Sequence, residues 1–412
     1  MRKMTGCPTD DAKSILNNVR EIAYDFESQR SERQRRRELI KEDFDRLRES
    51  GYLMAAVPTE FGGIWDGEST GTRAVCEILR TLAHGDSSVA LVASMHPAVI
   101  GGTGWLSILA APEPYTAAWG EQRRWAFQTV HDGHFWGTIM SEPGSGGDNT
   151  QSNSTAKLGS NNVQYLLSGQ KHFGSGSGIT SYMVTHAVPD GEVTPDTFVL
   201  DMRDSVWDGS SGVKLIAPWD GHGMTATQSH GMVFDNFPAT RLAFPGDDRR
   251  TILSDMDRPE GALFVAVITG IVEIAVTTAR RQLETKRDRM RSYERVEWAK
   301  VEIEAWLVQQ AYEGMLREVE RGRSSGRNSL LAKEAVAELA ESVLVRISKV
   351  IGGGAYSRHT PYGFWLEDVR ALGFLRPPWA WAFERVFEGS WKSKSAGSAS
   401  SDLSPHGSTV CP

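Results

Sequence analysis

Two short segments of the chain combine glycines with hydroxyl and aromatic side chains. Residues 140–148 read MSEPGSGGD, and residues 171–176 read KHFGSG. Glycines such as Gly146 let a backbone turn sharply and approach a ligand closely, although such a run is also typical of an ordinary hairpin loop. Phe173 could offer an aromatic surface and Ser175 a hydrogen-bonding group, while a lone phenylalanine in a strand is usually a core residue. The residue types alone leave a ligand site and a structural turn open.

A histidine, His96, follows an apolar run in the segment SMHP at residues 94–97. A neutral imidazole at pH 7 can donate or accept a proton, which would suit catalysis. The structural alternative is a helix-terminal histidine bonded to the backbone, and by itself the residue favours that alternative. The sequence contains no GxxxxGK[ST] loop, no HExxH motif and no CxxC pair among its three cysteines, so we predict no metal site.

Composition narrows the class of protein. The chain has 412 residues and a net charge of -7, which disfavours a nucleic-acid partner and predicts two or three domains. The first ten residues are polar and give no sign of a signal peptide. The longest apolar stretch, residues 261–275, contains Glu273 and is too short to span a membrane. We therefore expect a cytoplasmic protein without a membrane segment.

The spacing of apolar residues predicts an α+β fold with the order helices, strands, helices. We expect an N-terminal helical domain over 10–130, a middle antiparallel β domain over 131–245 and a C-terminal helical bundle over 255–391. The Ser/Gly-rich tail over 392–412 should be disordered. Four apolar runs bounded by turn residues are the predicted strands: 135–140, 163–167, 197–202 and 232–237.

This order of elements, together with four motifs, resembles the acyl-CoA dehydrogenase superfamily over roughly residues 10–391. The motifs are GYLMAAVPTEFGG at 51–63, MSEPGSGGD at 140–148, KHFGSG at 171–176 and the GGG…EDVR stretch at 352–370. Four motifs in the correct order are a specific match. The resemblance implies one flavin, FAD or FMN, held between the helical N-terminal domain and the β domain.

The resemblance also implies which residues bind the flavin. The main chain of Ile139 with Met140 and Ser141 would lie along the ring, although the Ser141 hydroxyl could equally cap a turn. Phe173 takes the place of a stacking tryptophan, and Ser175 would donate a hydrogen bond near flavin N5. The remaining implied contacts are the turn at Gly146 and Arg281, which lies near a family arginine that reaches the flavin pyrophosphate of a neighbouring subunit.

A dehydrogenase of this family needs a carboxylate that removes an α-proton from the substrate. Eight residues after Asp368, where the commonest subgroup has this base, the chain has Arg376, and a cation cannot serve. Glu388 falls 20 residues after Asp368, about three helical turns too late. A displaced base stays possible among the acids near the start of the C-terminal domain: Asp255, Asp257 and Glu260.

The Ser175–Gly176 pair resembles the oxygenase branch of the superfamily, the group D flavin monooxygenases, which need no such base. His96 aligns with a pocket histidine of that branch, and Arg376 could bind an anionic group or pair with Asp368. His222 and Met224 belong to a segment at the edge of the substrate or flavin, where Thr225 replaces the family arginine.

We therefore predict a two-component monooxygenase. It would receive reduced flavin from a separate reductase and hydroxylate a small amine, aromatic or carrier-bound acyl substrate. The alternatives are a dehydrogenase with a relocated carboxylate and a catalytically silent flavin-binding protein. The family implies a homotetramer built through the C-terminal helices.

Overall fold

The computed structural model describes residues 10–145, 148, 151–160, 164–255, 260–321, 326–375 and 377–391. Within these residues the element order is helices, then strands, then helices, which confirms the predicted α+β architecture. The three domain ranges given above stay predictions. The tail over 392–412, predicted to be disordered, lies outside the described residues.

The N-terminal part consists of helices around one almost wholly buried helix. Its helices are α1 (Asp10–Ser28), α2 (Arg30–Arg33), α3 (Lys41–Glu49), α4 (Glu68–Gly85), α5 (Ser87–Gly102) and α6 (Thr116–His131). Twelve of the sixteen residues of α5 are buried, which explains its apolar sequence. Asp86 caps this helix by accepting a hydrogen bond from the backbone N–H of Val89 at 2.9 Å. Because α5 also contacts the first strand, it carries His96 to the β part of the molecule.

In the part of the chain that the structure describes, seven strands form one sheet. They are β1 (Trp136–Thr138), β2 (Thr155–Leu158), β3 (Tyr165–Gly174), β4 (Tyr182–Pro189), β5 (Asp196–Asp201), β6 (Val213–Ala217) and β7 (His230–Arg241). Because β5 pairs with β4 as well as with β7, the strands β4, β2, β3, β7 and β5 close into a ring. Apolar side chains such as Ile139, Leu167 and Phe198 form a separate core there. This core holds β3, which carries the KHFG segment, in a fixed position.

The sheet is mostly antiparallel, as predicted, but β4 pairs in parallel with both β1 and β2. The antiparallel prediction is therefore wrong for these two pairs. Turn residues between apolar runs indicate where strands end, but they do not show that the chain crosses over before pairing. Strands β2, β4 and β6 were not among the predicted runs. In β2, for example, Ala156 is buried while its three neighbours in the strand are exposed, and this is too short an alternation to recognise.

The C-terminal part is again helical. Its helices are α7 (Asp247–Asp255), α8 (Glu260–Glu284), α9 (Ser292–Glu320), α10 (Gly326–Ile351), α11 (Tyr362–Val369), α12 (Ala371–Phe374) and α13 (Trp379–Trp391). The long helix α8 packs against α4 and α5 as well as against α9 and α10. Its segment Gly261–Glu284 is long and apolar enough to cross a membrane, but 83% of the apolar window is buried inside the fold. Such burial is typical of a core helix.

Candidate functional site

The two glycine-containing segments meet side by side at one edge of the β part. The backbone N–H of His172 donates to the carbonyl oxygen of Ser141 at 2.8 Å, and the two residues form an antiparallel bridge. Residues 139–141 and 172–175 together are called the edge strip below. The edge strip thus brings together five of the residues predicted to bind a cofactor: Ile139, Met140, Ser141, Phe173 and Ser175.

A buried ion pair fixes the edge strip from behind. The Nζ atom of Lys171 lies 2.5 Å from Oε1 of Glu142 and also donates to the carbonyl oxygen of His186. Glu142 accepts further hydrogen bonds from the hydroxyl of Ser152 and the backbone N–H of Asn153. Burial alone would raise the pKa of Glu142, but Lys171 and these donors outweigh it and lower the pKa to about 2. The carboxylate therefore stays ionised near neutral pH.

Phe173 presents its ring outward from a backbone conformation that few residues adopt. Its φ is 59°, in the left-handed region, and the ladder between β3 and β7 is irregular between Lys171 and Gly174. The side chain is 59% exposed, and its ring lies edge-on to that of Trp219 with 6.2 Å between centroids. A strained residue with an exposed aromatic ring is unusual for a core position and is typical of a ligand site.

Ser175 follows Phe173 at the end of the strip and is buried. Its Oγ lies 2.8 Å from the Oγ of Ser229, and its backbone N–H donates to the carbonyl oxygen of Phe173. A Cβ on the next residue, Gly176, would lie 2.7 Å from Cγ1 of Val92 in α5. Glycine is therefore required where the turn meets this helix.

Residues 219–229, called the anchor loop below, connect the edge strip to the C-terminal helices. Met224 is buried with a left-handed φ of 49°, and its carbonyl oxygen accepts a hydrogen bond from Nε1 of Trp219 at 3.0 Å. A Cβ on Gly223 would lie 2.3 Å from the carbonyl oxygen of Glu367 in α11. His222, in the same loop, is exposed to solvent. The loop therefore holds Met224 firmly and leaves His222 at the surface.

Asp368 joins all three parts of the molecule. Its Oδ2 accepts a hydrogen bond from the hydroxyl of Ser87 at 2.5 Å, and its Oδ1 accepts one from the backbone N–H of Met224 at 2.6 Å. Burial raises the pKa of Asp368 to about 6, with Asp86 and Glu367 adding to the rise and the two hydrogen bonds opposing it. The hypothesis that Asp368 pairs with Arg376 is not tested, because Arg376 lies outside the described residues.

His96 is buried inside the molecule, one helical turn beyond Val92. Its Nδ1 accepts a hydrogen bond from the backbone N–H of Trp136 at 3.2 Å, while Nε2 is buried and makes no hydrogen bond of good geometry among the described residues, although the main chain of Leu53 lies near the ring. Burial lowers the pKa of His96 to about 4, and the main chain of Leu53 offsets this in part. The imidazole is therefore neutral at pH 7. The predicted catalytic role of His96 stays a prediction. The backbone contact agrees with its structural alternative, but the helix-terminal position was wrong, because His96 lies inside α5 (Ser87–Gly102).

The other predicted residues lie apart from the edge strip or beyond the described chain. Arg281 is exposed near the end of α8. Gly146, Arg376 and Asp257 lie outside the described residues. Asp255 and Glu260 terminate α7 and begin α8, and their side chains are not described either. A displaced base at these positions therefore stays open.

The sequence analysis missed three features of the site: the Glu142–Lys171 pair, the Ser229 hydroxyl beside Ser175, and the position of Asp368 between the three parts. A signal for the pair was present, because an acid and a lysine stand inside the two quoted motifs and ionisable residues are rarely buried unless they are paired. The other two features depend on contacts between distant segments.

The edge strip fits a flavin ring on its own geometry. Phe173 offers an exposed aromatic face, Ser175 places a hydroxyl two residues away, and the bridge at Ser141 brings main-chain groups alongside. Glycine at position 174 lets the two segments of the edge strip pack closely, because a Cβ there would lie 2.9 Å from Cδ1 of Ile139. An aromatic wall with hydrogen-bonding groups beside it is what an isoalloxazine ring requires of a protein.

Two parts of the chain match a known protein family. Residues 9–106 match the sequence profile of the acyl-CoA dehydrogenase N-terminal domain, and residues 137–237 match that of the middle domain. L-evernosamine nitrososynthase from Micromonospora sp. is 24% identical over 396 residues, which cover 90% of this chain and 87% of the relative.

Three solved structures share the fold. KijD3 in complex with FMN and dTDP-3-amino-2,3,6-trideoxy-4-keto-3-methyl-D-glucose has a TM-score of 0.75 at 21% identity, covering 94% of this chain and 96% of that one. FMN-bound TdsC from Paenibacillus sp. A11-2 has a TM-score of 0.75 at 19% identity, with coverages of 92% and 97%. Butyryl-CoA dehydrogenase from Megasphaera elsdenii has a TM-score of 0.74 at 18% identity, with coverages of 94% and 100%. Residues 9–106 and 137–237 thus match the N-terminal and middle domains of the acyl-CoA dehydrogenases, and the chain is similar to a nitrososynthase in sequence and to a monooxygenase in fold, as the sequence predicted.

Proposed function

We propose that the protein is a flavin-dependent monooxygenase that binds its flavin along the edge strip. Reduced flavin would supply two electrons to O₂, so that one oxygen atom enters the substrate and the other leaves as water. Phe173 would stack on the ring, the main chain of residues 139–141 would lie along its edge, and Ser175 would face N5. FMN is favoured over FAD because TdsC and KijD3 carry FMN in their structures.

The observation that carries this proposal is the hydrogen bonding of two buried carboxylates, Glu142 beside the edge strip and Asp368 beside the anchor loop. Both oxygens of Glu142 and both oxygens of Asp368 accept hydrogen bonds from the protein. A general base must instead reach the proton that it removes. Arg376 at the family position of the base supports the same conclusion. Oxygenation needs no such base.

Three substrate classes were predicted, and the relatives support two of them. A nitrososynthase acts on an amine, and KijD3 binds a nucleotide-linked amino sugar. TdsC has been crystallised with indole, an aromatic compound. We favour an amine, because the nitrososynthase is similar over 90% of this chain. His96, His222 and Met224 stay the proposed substrate-binding residues. His96, Ser175 and Arg376 stay the proposed catalytic ones.

Two partners complete the proposal. A separate flavin reductase would supply the reduced flavin, and the chain would form a homotetramer. The apolar residues of α8 are buried within the chain. Five of the exposed large apolar side chains lie on α9 and support subunit contacts there: Tyr293, Val296, Ile303, Trp306 and Leu307. Light scattering of the purified protein would give four chains per particle if this is correct, and a monomer would contradict it.

The monooxygenase proposal has a two-part test. In the first part, the protein receives FMN, a flavin reductase and a nicotinamide reductant in air, and a dTDP-linked amino sugar and indole are offered in turn. We expect oxygen uptake with a product heavier by one oxygen atom. In the second part, butyryl-CoA is added without oxygen to the protein with oxidised flavin. The flavin absorbance should stay unchanged, whereas bleaching by butyryl-CoA would establish a dehydrogenase.

A further inference from the structure

Three hydroxyl groups lie in a row that runs from the end of the edge strip into the anchor loop. The Oγ of Ser175 lies 2.8 Å from the Oγ of Ser229, which lies 2.7 Å from Oγ1 of Thr227. Thr227 donates to the carbonyl oxygen of Met224 at 2.9 Å. All three side chains are buried. Ser175, Ser229 and Thr227 are called the hydroxyl row below.

Each hydroxyl of the row has one proton, and this determines which atom donates in each hydrogen bond. A carbonyl oxygen cannot donate, so the proton of Thr227 points to Met224. Thr227 then has no proton left for Ser229, and Ser229 must donate to Thr227. By the same argument Ser175 must donate to Ser229. The opposite direction would place lone pairs of Thr227 and Met224 face to face at 2.9 Å, without a proton between them.

The carbonyl at the far end of the row is held in place. The N–H of Met224 donates to Asp368, and Nε1 of Trp219 donates to the same carbonyl oxygen that Thr227 uses. Met224 and Gln228 both have left-handed backbones, with φ of 49° and 44°, so the loop turns sharply on either side of Thr227. Three donors converge on this carbonyl oxygen, because the backbone N–H of Thr227 also donates to it at 3.2 Å, besides Nε1 of Trp219 and the Thr227 hydroxyl.

Ser175 therefore offers a lone pair, and not a proton, to a group that faces it from outside the row. We propose that the hydroxyl row makes Ser175 a hydrogen-bond acceptor, so that the site prefers the reduced flavin, whose N5 carries a proton, over the oxidised flavin, whose N5 carries none. This inference rests on the proposed function, because it requires the flavin to lie on the edge strip. It reverses the donor role predicted for Ser175. Ser229 and Thr227 are positioning residues.

The affinity of the protein for the two forms of FMN tests this proposal without any substrate. Equilibrium dialysis is performed anaerobically with oxidised FMN and with chemically reduced FMN. We expect the wild type to bind reduced FMN about tenfold more tightly, because one hydrogen bond is made in place of two opposed lone pairs. The midpoint potential of bound FMN should be correspondingly higher than that of free FMN by about 30 mV.

Variants of the hydroxyl row test whether the direction of its hydrogen bonds, and not only the fold of the loop, sets the preference for reduced FMN. Thr227→Val keeps the shape of the side chain but removes the hydroxyl, so Ser175 becomes free to turn its proton outward and the preference should fall towards equal binding. Thr227→Ser keeps the hydroxyl and should retain the preference. Ser229→Ala breaks the row at its centre and should have the same effect as Thr227→Val, which provides a second test if one variant folds poorly.

The outcomes distinguish this inference from the proposed function. If neither form of FMN binds, the flavin proposal fails and the inference fails with it. If both forms bind with the same ratio in wild type and in Thr227→Val, the flavin proposal stands and the inference about the hydroxyl row is wrong. Tighter binding of oxidised FMN by the wild type would also overturn the inference.

Discussion

Two buried carboxylates, Glu142 and Asp368, support the proposed flavin site, and their pKa values are shifted in opposite directions. Glu142 faces a buried lysine and several hydrogen-bond donors, and its pKa is lowered to about 2. Asp368 has two hydrogen bonds and no bound cation among the described residues, and its pKa is raised to about 6. Burial acts in the same direction on both groups, so the difference comes from the partners.

The comparison shows how the site is built. The edge strip is fixed inside one part of the fold by the Glu142–Lys171 pair, and the lowered pKa of Glu142 keeps its carboxylate ionised near neutral pH. The junction between the three parts depends on an acid that is ionised at a cost, so its stability changes with pH. The residues proposed to contact the flavin thus depend on the Glu142–Lys171 pair, and the anchor loop beside them depends on Asp368.

The largest predicted effect comes from breaking the Glu142–Lys171 pair. Lys171→Met leaves the carboxylate of Glu142 buried without its cation, and we expect a loss of about 3–5 kcal/mol in the free energy of unfolding. Urea denaturation would measure it. As a matched control, Glu142→Gln combined with Lys171→Met removes both charges and should recover part of the loss. A loss below about 1 kcal/mol in the single variant would show that the pair does not hold the strip.

The next effect is the pH dependence that Asp368 confers. Its pKa in the folded protein, about 6, is above the ordinary value of 3.8, so the native state binds the proton more tightly than the unfolded chain does. The contribution of Asp368 is therefore fully present below about pH 4 and is lost as the pH rises through 6, by about 3 kcal/mol at most. Glu142 has the opposite sign, because its contribution is present above pH 4.5 and is lost as the pH falls towards 2.

Asp368→Asn isolates this second effect. The free energy of unfolding is measured between pH 4.5 and 7.5 for wild type and variant, and the difference between them is plotted against pH. We expect the variant to gain in stability relative to wild type as the pH rises through 6. A difference that does not change with pH would mean that Asp368 titrates normally in the folded protein.

A smaller effect is expected at Phe173, which separates ligand binding from stability. Phe173→Ala removes an exposed ring and should leave the free energy of unfolding within about 0.5 kcal/mol of wild type. It should weaken FMN binding about tenfold, because one stacked aromatic contact is lost. Phe173→Trp is the matched control and should retain the affinity. Loss of stability without loss of affinity would return Phe173 to a structural role.

The smallest effect is expected at Arg281. Its side chain is exposed, so Arg281→Ala should change the free energy of unfolding by less than about 0.5 kcal/mol. If Arg281 reaches the flavin phosphate of a neighbouring subunit, FMN affinity should fall modestly, and the reduction should shrink in high salt. Unchanged affinity at low salt would remove Arg281 from the proposed site. Arg280→Ala is the control, because Arg280 pairs with Glu302.

Much of the fold could be predicted from the sequence, because helix periodicity and turn residues are local signals. The long helices α8, α9 and α10 and the apolar helix α5 followed from such signals, and so did the strands that contain long apolar runs. The parallel pairing of β4 with β1 and β2 did not, because it depends on how distant segments cross.

The motifs of the candidate site could be predicted from the sequence, but the hydrogen bonds between distant segments could not. The motifs containing Ser141 and Phe173 identified the edge strip, since both were recognisable by resemblance. The contacts of Ser175 with Ser229 and of Met224 with Asp368 join residues 54 and 144 positions apart, and no local pattern indicates them. The proposed role of Ser175 as an acceptor, in place of the predicted donor, could be inferred only from all the hydrogen bonds of the hydroxyl row together.

The fate of molecular oxygen tests the central claim most directly. The protein is supplied with reduced FMN and ¹⁸O₂ together with a dTDP-linked amino sugar, and in parallel with indole, and the products are examined by mass spectrometry. The account predicts that one ¹⁸O atom enters the product of at least one of these substrates. Unlabelled products, together with an acyl thioester that loses two hydrogen atoms without any need for oxygen, would contradict it.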